Sequence, residues 1–392
     1  MPSAPTTSID LADPAFVADP YPVFAAERAL HPVAWHEASG SWLTFAHATV
    51  GQVQRDRRLG RIWQDKQPAD RLEPFNLLHR NQMMENEPPA HTRLRRPVAS
   101  AFARGHVERL RPRVRELAAE LLDAVDPAGF DVIAEYAEPL PVLVIAELLG
   151  VPASHAADLR HWSQAIVRMY EVSPSEQVVD EAVRAATDFA ALARDLAATR
   201  RRLPADDLIS DLVATELTDD EVVAAIVLLL NAGHEASVNV FGNGLAAMLA
   251  RGLRPTSTDA AELAPAVEEM LRFDSALQLF ERTATEPVEV GTGDAAVVVE
   301  PGQKICALLG AANRDPAVFE EPDEMRLDRA VNPHLAFGVG VHFCLGAPLA
   351  RMELAESLGA LLSRHETLRL DGDPVPRGTF VLRGHTSLRV RA

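Results

Sequence analysis

Apolar positions along this chain recur mostly at helical spacing, and the alternation expected of strands is confined to two short regions. Tyr21 to Leu30 carries Phe24, Ala25 and Ala29 at helix-like intervals. Two strand-like runs follow, Val33 to His36 and Trp42 to Phe45, around the turn Ala38-Ser39-Gly40, and then a helix through about Arg55. Val114 to Val125, Tyr136 to Leu149, Ser154 to Glu171, Asp180 to Arg201 and Ala264 to Phe273 also read as helices, the second stopping at Gly150 with Pro152 beyond it. Val172-Ser173-Pro174-Ser175 breaks the run. Glu286 to Leu309 alternates, with Val288, Val290, Val297, Val298, Val299 and Ile305 between Gly-rich turns, and predicts a small sheet. From Gly60 to Asn86 the chain mixes Trp63, Phe75, Leu77, Leu78, Met83 and Met84 with Pro68 and Pro74 at no clean period, which predicts a surface loop. Residues 1–19 are polar and acidic and are expected to be poorly ordered.

Two stretches carry more than packing. Thr218-Asp219-Asp220-Glu221 has the form of a capping box, and the run after it stays apolar on nearly every side through Leu230, so a buried central helix is predicted. Inside it lies Ala232-Gly233-His234-Glu235-Ala236-Ser237. A glycine in a helix interior costs about 0.5–1 kcal/mol relative to alanine, and close approach to a planar cofactor would account for Gly233. Glu235, a carboxylate in so apolar a helix, needs partners or a task. The second stretch runs from Phe337 to Gly346 as Phe-Gly-Val-Gly-Val-His-Phe-Cys-Leu-Gly. Gly338 and Gly340 permit turns that a β-carbon would obstruct and leave Cys344 facing outward. A helix with Pro348 in its first turn follows, and the positive end of that helix favours thiolate over thiol at Cys344.

Composition narrows the function classes. A net charge of −18 argues against a general nucleic-acid binder. No run reaches the roughly 20 apolar residues of a bilayer span, so a cytoplasmic protein without a membrane segment is expected. Two cysteines, Cys306 and Cys344, are too few for a disulfide framework, and Cys306 falls in an apolar run.

The cysteine stretch closely resembles the haem-ligand loop of the cytochrome P450 family, Phe-Gly-x-Gly-x-His-x-Cys-x-Gly, with every fixed position met by Phe337, Gly338, Gly340, His342, Cys344 and Gly346. The resemblance implies a mainly α fold with minor β-structure, one domain over residues 1–392, with haem b between the central helix and the cysteine loop. It makes Cys344 the thiolate ligand of haem iron. Glu87-Pro88-Pro89-Ala90-His91-Thr92-Arg93-Leu94-Arg95 is similar to another family signature, with Glu87 replacing the usual acid; His91 and Arg95, four apart on one helix face, are assigned to a haem propionate. Arg282 and His342 are implied as further propionate contacts. Glu269 and Arg272 resemble the family's Glu-x-x-Arg helix, and with Arg329 they are implied to form a buried network that supports the cysteine loop.

The central-helix segment is similar to the family's oxygen-groove motif, whose acid and first threonine organise proton delivery. Here Ala236 holds the threonine position and only Ser237 keeps a hydroxyl. Protons are then expected through Glu235 and water, through Ser237, or from a hydroxyl on the substrate. The resemblance implies insertion of one atom of O2 into a small apolar substrate, hydroxylation or epoxidation in secondary metabolism or catabolism. Electrons would come from NAD(P)H through a ferredoxin or flavodoxin and its reductase, since the chain holds no flavin or iron–sulfur signature. Arg93 to Arg115 contains eight arginines against the single acid Glu108, a candidate docking strip for an acidic donor. Two alternatives remain open at Ala236: a peroxide-driven peroxygenase, and a haem-containing binding or recruitment protein without turnover.

Overall fold

A computed structural model describes residues 5–171 and 174–392. The break expected at Val172-Ser173-Pro174-Ser175 therefore lies partly outside the described residues, as does Val172 itself; beyond it, Ser175 caps the next helix. Nine helices matter for the site: α1 (Ala69–Arg80), α2 (Ala90–Ala99), α3 (Arg104–Ala124), α4 (Pro139–Leu149), α5 (Ala156–Val167), α6 (Glu176–Arg202), α7 (Asp219–Ala250), α8 (Ala264–Phe273) and α9 (Ala347–Arg364). Six strands, β1 (Thr6–Thr7), β2 (Val33–His36), β3 (Ser41–Thr44), β4 (Leu59–Gly60), β5 (Leu279–Ala284) and β6 (Lys304–Leu308), form one mixed sheet in the order β1-β2-β3-β6-β5-β4.

The central helix α7 organises the helical core. Its first turn closes by the predicted capping box: Thr218 Oγ1 accepts from the Glu221 amide at 3.3 Å, and Glu221 returns the bond to the Thr218 amide at 2.9 Å. α7 is long and apolar enough to cross a membrane, which the sequence reading did not anticipate, but 78% of its most apolar window is buried inside the protein. It is a core helix, wrapped by α1, α4, α6 and α8.

One expectation is corrected, that for Gly60 to Asn86. Within residues 5–19, β1 pairs with β2 and Phe16 packs against Phe24 and Phe380. The loop expected from Gly60 to Asn86 contains α1, whose Leu72, Phe75, Leu78 and His79 form a buried face at helical spacing. Pro74 removes one helix hydrogen bond there, and packing of that face outweighs the loss. At the other end of the chain, the Glu171 carboxylate accepts from the amides of Phe380, Val381 and Leu382 at 3.0 to 3.1 Å and ties the tail to the end of α5.

Candidate functional site

The cysteine loop is a turn of fixed geometry. Gly338 and Gly340 adopt φ of +65° and +80°, and a β-carbon on Gly340 would sit 2.5 Å from the Gln54 carbonyl oxygen, so the sequence needs glycine there. Gln54 also accepts from the Val339 amide at 2.8 Å, and the Cys344 amide donates to the Phe337 oxygen at 2.9 Å. Arg95 reaches across from α2 and donates to the Phe343 oxygen at 2.7 Å. Arg351 lies over the Phe337 ring, 4.5 Å from its centre. Cys344 is thereby held just before α9 with its side chain half-buried.

The expected lowering of the thiol is not what results. Burial pushes the Cys344 thiol up, and the amides of Gly346 and Ala347 with the charges of Arg95 and Arg351 only partly oppose it. The helix end acts in the predicted direction but desolvation is the larger effect.

The four residues assigned to propionates gather in one region around Glu87. His342 Nε2 lies 2.8 Å from Glu87 Oε1, and the His342 ring meets the His91 ring edge-on at 4.7 Å between centres. Among the described residues, both ring nitrogens of His91 are buried without a partner. Arg282 is 3% exposed on β5, yet among the same residues its side chain donates only to the oxygen of its neighbour Glu281. Burial, helped by nearby Arg61, brings its guanidinium down to about 10. Arg61 was absent from the sequence reading; it binds Glu85, and its amide donates to Glu87 at 2.7 Å.

On α7, the buried run from Ile226 to Ala246 is broken at Ala232, which is exposed, and at Gly233 and Ala236, which are half-buried. Ala232 and Ala236 share a face one turn apart. Gly233 has a packing cause: its β-carbon would stand 2.8 Å from Ile145 Cγ1, so the glycine admits α4. Glu235 and Ser237, grouped by sequence, part company here. Arg377 donates to Glu235 Oε2 at 3.1 Å, and His234 Nε2 is 3.3 Å from Oε1. Burial pushes the Glu235 carboxyl up, but these two neighbours outweigh it and hold it below its ordinary value. Ser237 instead turns toward α9, into a pocket with Tyr136, Phe241, Glu353 and Ser357. Glu353, which the sequence reading missed, is pushed up to about 8 by burial, opposed by the Ser237 hydroxyl. Its signal was a carboxylate set directly between the apolar Met352 and Leu354.

Glu353 makes a pH prediction. The folded chain keeps this proton to about pH 8 and the unfolded chain only to about 4.5, so its share of stability is intact below 4.5 and is lost as pH rises toward 8. Glu353→Gln stays neutral and should gain melting temperature relative to the parent from about pH 5 to about pH 8. Parallel melting curves across that range would remove the buried acid from the account.

The remaining geometry can be tested against a flat, dianionic macrocycle. A strip of small side chains on an interior helix, a half-buried thiol, and, among the described residues, a histidine without a partner and a desolvated arginine without an ion pair together fit such a group. Similarity to known proteins shows the family. Residues 262–383 match the family model described as Cytochrome P450. The chain is 37% identical over 374 residues to cytochrome P450 monooxygenase PikC of Streptomyces venezuelae, covering 92% of this chain and 87% of that one. This chain belongs to the cytochrome P450 family. It is also 38% identical to nocardicin C N-oxygenase of Nocardia uniformis subsp. tsuyamanensis, over 94% of each chain. The P450 fold extends to the structure of P450BioI in complex with hexadec-9Z-enoic acid ligated acyl carrier protein, at a TM-score of 0.90 and 30% identity, covering 97% of this chain and 100% of that one. The protein is accordingly a P450 monooxygenase, and the family's group is haem.

The arginine strip is only partly available to a P450 electron donor. Arg93, Arg111, Arg113 and Arg115 are engaged by Glu221, Glu108, Glu147 and Glu356. Arg96, Arg104 and Arg109 are exposed and carry no ion pair among the described residues.

Proposed function

We propose that this P450 inserts one oxygen atom from O2 into a small apolar molecule, by hydroxylation or epoxidation. The observation that carries the reading is the half-buried thiol of Cys344, held by a turn that requires glycine and followed by a helix N-terminus. Haem, when bound, supplies reductive activation of dioxygen, with the second oxygen atom leaving as water.

This chain's own residues do the rest. Cys344 would ligate the iron through sulfur. Gly338 shapes the turn and Phe337 packs under Arg351, which keeps the loop from relaxing. Arg95, Arg282 and His91 would bind the propionates, a role that the unpartnered ring nitrogens of His91 and the buried, unpaired guanidinium of Arg282 among the described residues support. His342 would share in it by exchanging or sharing its contact with Glu87. Ala232 and Ala236 keep the helix surface low enough for the macrocycle and O2. Glu235 holds its charge between Arg377 and His234, while Glu353, behind Ser237, holds a proton at neutral pH. With no hydroxyl at position 236, Glu235 would carry protons and Glu353 would hold one beside α7. The exposed Arg96, Arg104 and Arg109 support docking of an acidic ferredoxin or flavodoxin fed by NAD(P)H through a reductase.

One comparison tests the reading. Product should form with NADH, ferredoxin and ferredoxin reductase, and should not form without them. Product with hydrogen peroxide alone would favour the peroxygenase, a reading that the lost hydroxyl at Ala236 supports. No oxidation under any condition would favour a binding protein.

A further inference from the structure

His234 follows Gly233 on α7, and the proton roles above leave it out. Its Nδ1 lies 2.8 Å from the Leu230 carbonyl oxygen, which can only accept, so Nδ1 carries a hydrogen. Its Nε2 is buried, has no aligned hydrogen-bond partner among the described residues, and stands 3.3 Å from Glu235 Oε1. A neutral ring with its hydrogen on Nδ1 would therefore hold a bare, electron-rich nitrogen 3.3 Å from a carboxylate oxygen. Two acceptors facing each other in a dry site repel. A single proton between them removes the conflict. Arg377 donates to the other Glu235 oxygen, which keeps the carboxylate ionised and leaves the imidazole as the place for that proton.

We infer that His234 stores, on Nε2, the proton that Glu235 passes on during turnover. The inference rests on the proton role proposed for Glu235, and it makes His234 a positioning residue acting through that carboxylate. Transfer breaks the Nε2–H bond and forms an O–H bond on Glu235 Oε1, leaving a neutral imidazole beside a neutral acid. When Glu235 gives up that proton it returns to carboxylate, and Nε2 takes the next proton from solvent. No oxidant or reductant takes part in this transfer.

The surroundings supply a route. Glu138, at the start of α4, lies within electrostatic reach of His234, Glu235 and Arg377. Burial, opposed first by Arg160, holds the Glu138 carboxyl above its ordinary value. Its side chain is 16% exposed and that of its partner Arg160, on α5, 40%, so this end of the cluster meets solvent. The charged groups that face His234 are thus Glu235 on its own helix, Arg377 from the tail, Glu138 from α4 and, through Glu138, Arg160.

The test uses holoenzyme with nitrogen-15-labelled histidine in the diamagnetic ferrous carbonyl state. At neutral pH one histidine should show hydrogen on both ring nitrogens, disappear in His234→Gln, and revert to the neutral Nδ1–H form in Glu235→Gln. A neutral His234 in the parent protein overturns the inference. In NADH-driven turnover, His234→Gln should lower product per NADH by roughly tenfold or more and raise peroxide release. Coupling in the parent should fall as pH rises, and in the variant it should be flat. Full coupling with an unchanged pH profile in His234→Gln also overturns the inference; loss of coupling in Glu235→Gln alone would leave the Glu235 role standing without it. Should His234→Gln lose its carbonyl band through misfolding, the parent and Glu235→Gln spectra still decide.

Discussion

Cys344→Ser should yield folded protein without the red-shifted carbonyl difference band that gives the family its name, and with monooxygenase activity at background. The change replaces one atom, so the turn built by Gly338, Gly340 and Gln54 should survive, as should the Cys344 amide bond to Phe337. What is lost is the anion. Burial already pushes the thiol up at this position, so its deprotonated form depends on the metal it binds and on the opposing amides of Gly346 and Ala347. A serine hydroxyl is a far weaker acid and a harder donor, and cannot push electron density to the iron as thiolate does. Cys306→Ser is the control: Cys306 sits buried beside Ser41, away from the loop, and its loss should leave the band in place. The reduced carbonyl difference spectrum, with haem content measured separately, checks both. Retention of the band in Cys344→Ser would remove the sulfur ligand and with it the proposed chemistry.

What could be read from the chain alone was set by local constraints. The cysteine loop was legible because positive φ at Gly338 and Gly340 restricts the residue type at each position. The start of α7 was legible because the Thr218 and Glu221 bonds are three residues apart. Pairings across the chain were not. Arg377 meets Glu235 from 142 residues away, and His342 meets Glu87 from 255. Nothing in either neighbourhood announces the other. The separate surroundings of Glu235 and Ser237 were hidden for a related reason: positions two apart on a helix differ by about 200°, so residues close in sequence point to different neighbours. α1 was hidden by Pro68 and Pro74, whose local message was outweighed by burial of Leu72, Phe75 and Leu78. The arginine strip was legible as charge but not as availability, since Glu356, on α9, takes up both Arg111 and Arg115.

Glu269→Leu should cost about 3–5 kcal/mol, the range for stranding a buried charge, out of a total that for most domains is about 5–15 kcal/mol. Glu269 and Arg272 are both fully buried on α8. Arg272 gives Nε and one Nη2 bond to the carboxylate at 2.8 and 2.7 Å, and its other three bonds go to the oxygens of Asn313, Pro322 and Glu324. The carboxylate also accepts from Arg329 Nε at 3.1 Å, Asn332 Nδ2 at 3.1 Å and the Arg326 amide at 2.8 Å. Every donor of Arg272 is used. Removing Glu269 leaves two buried guanidinium groups without an anion and frees the segment that leads into the cysteine loop. Glu269→Leu should therefore accumulate poorly and release haem at lower denaturant than the parent. Arg272→Leu should also be damaging, although Glu269 then keeps Arg329. The double variant should lose less than the two single losses added together, because each single change strands the partner that the other removes. Denaturation followed by haem absorbance and by far-ultraviolet circular dichroism checks the set. A loss under about 1 kcal/mol for Glu269→Leu would mean that the pair is no stronger than an exposed one, and the cysteine loop would then need another support.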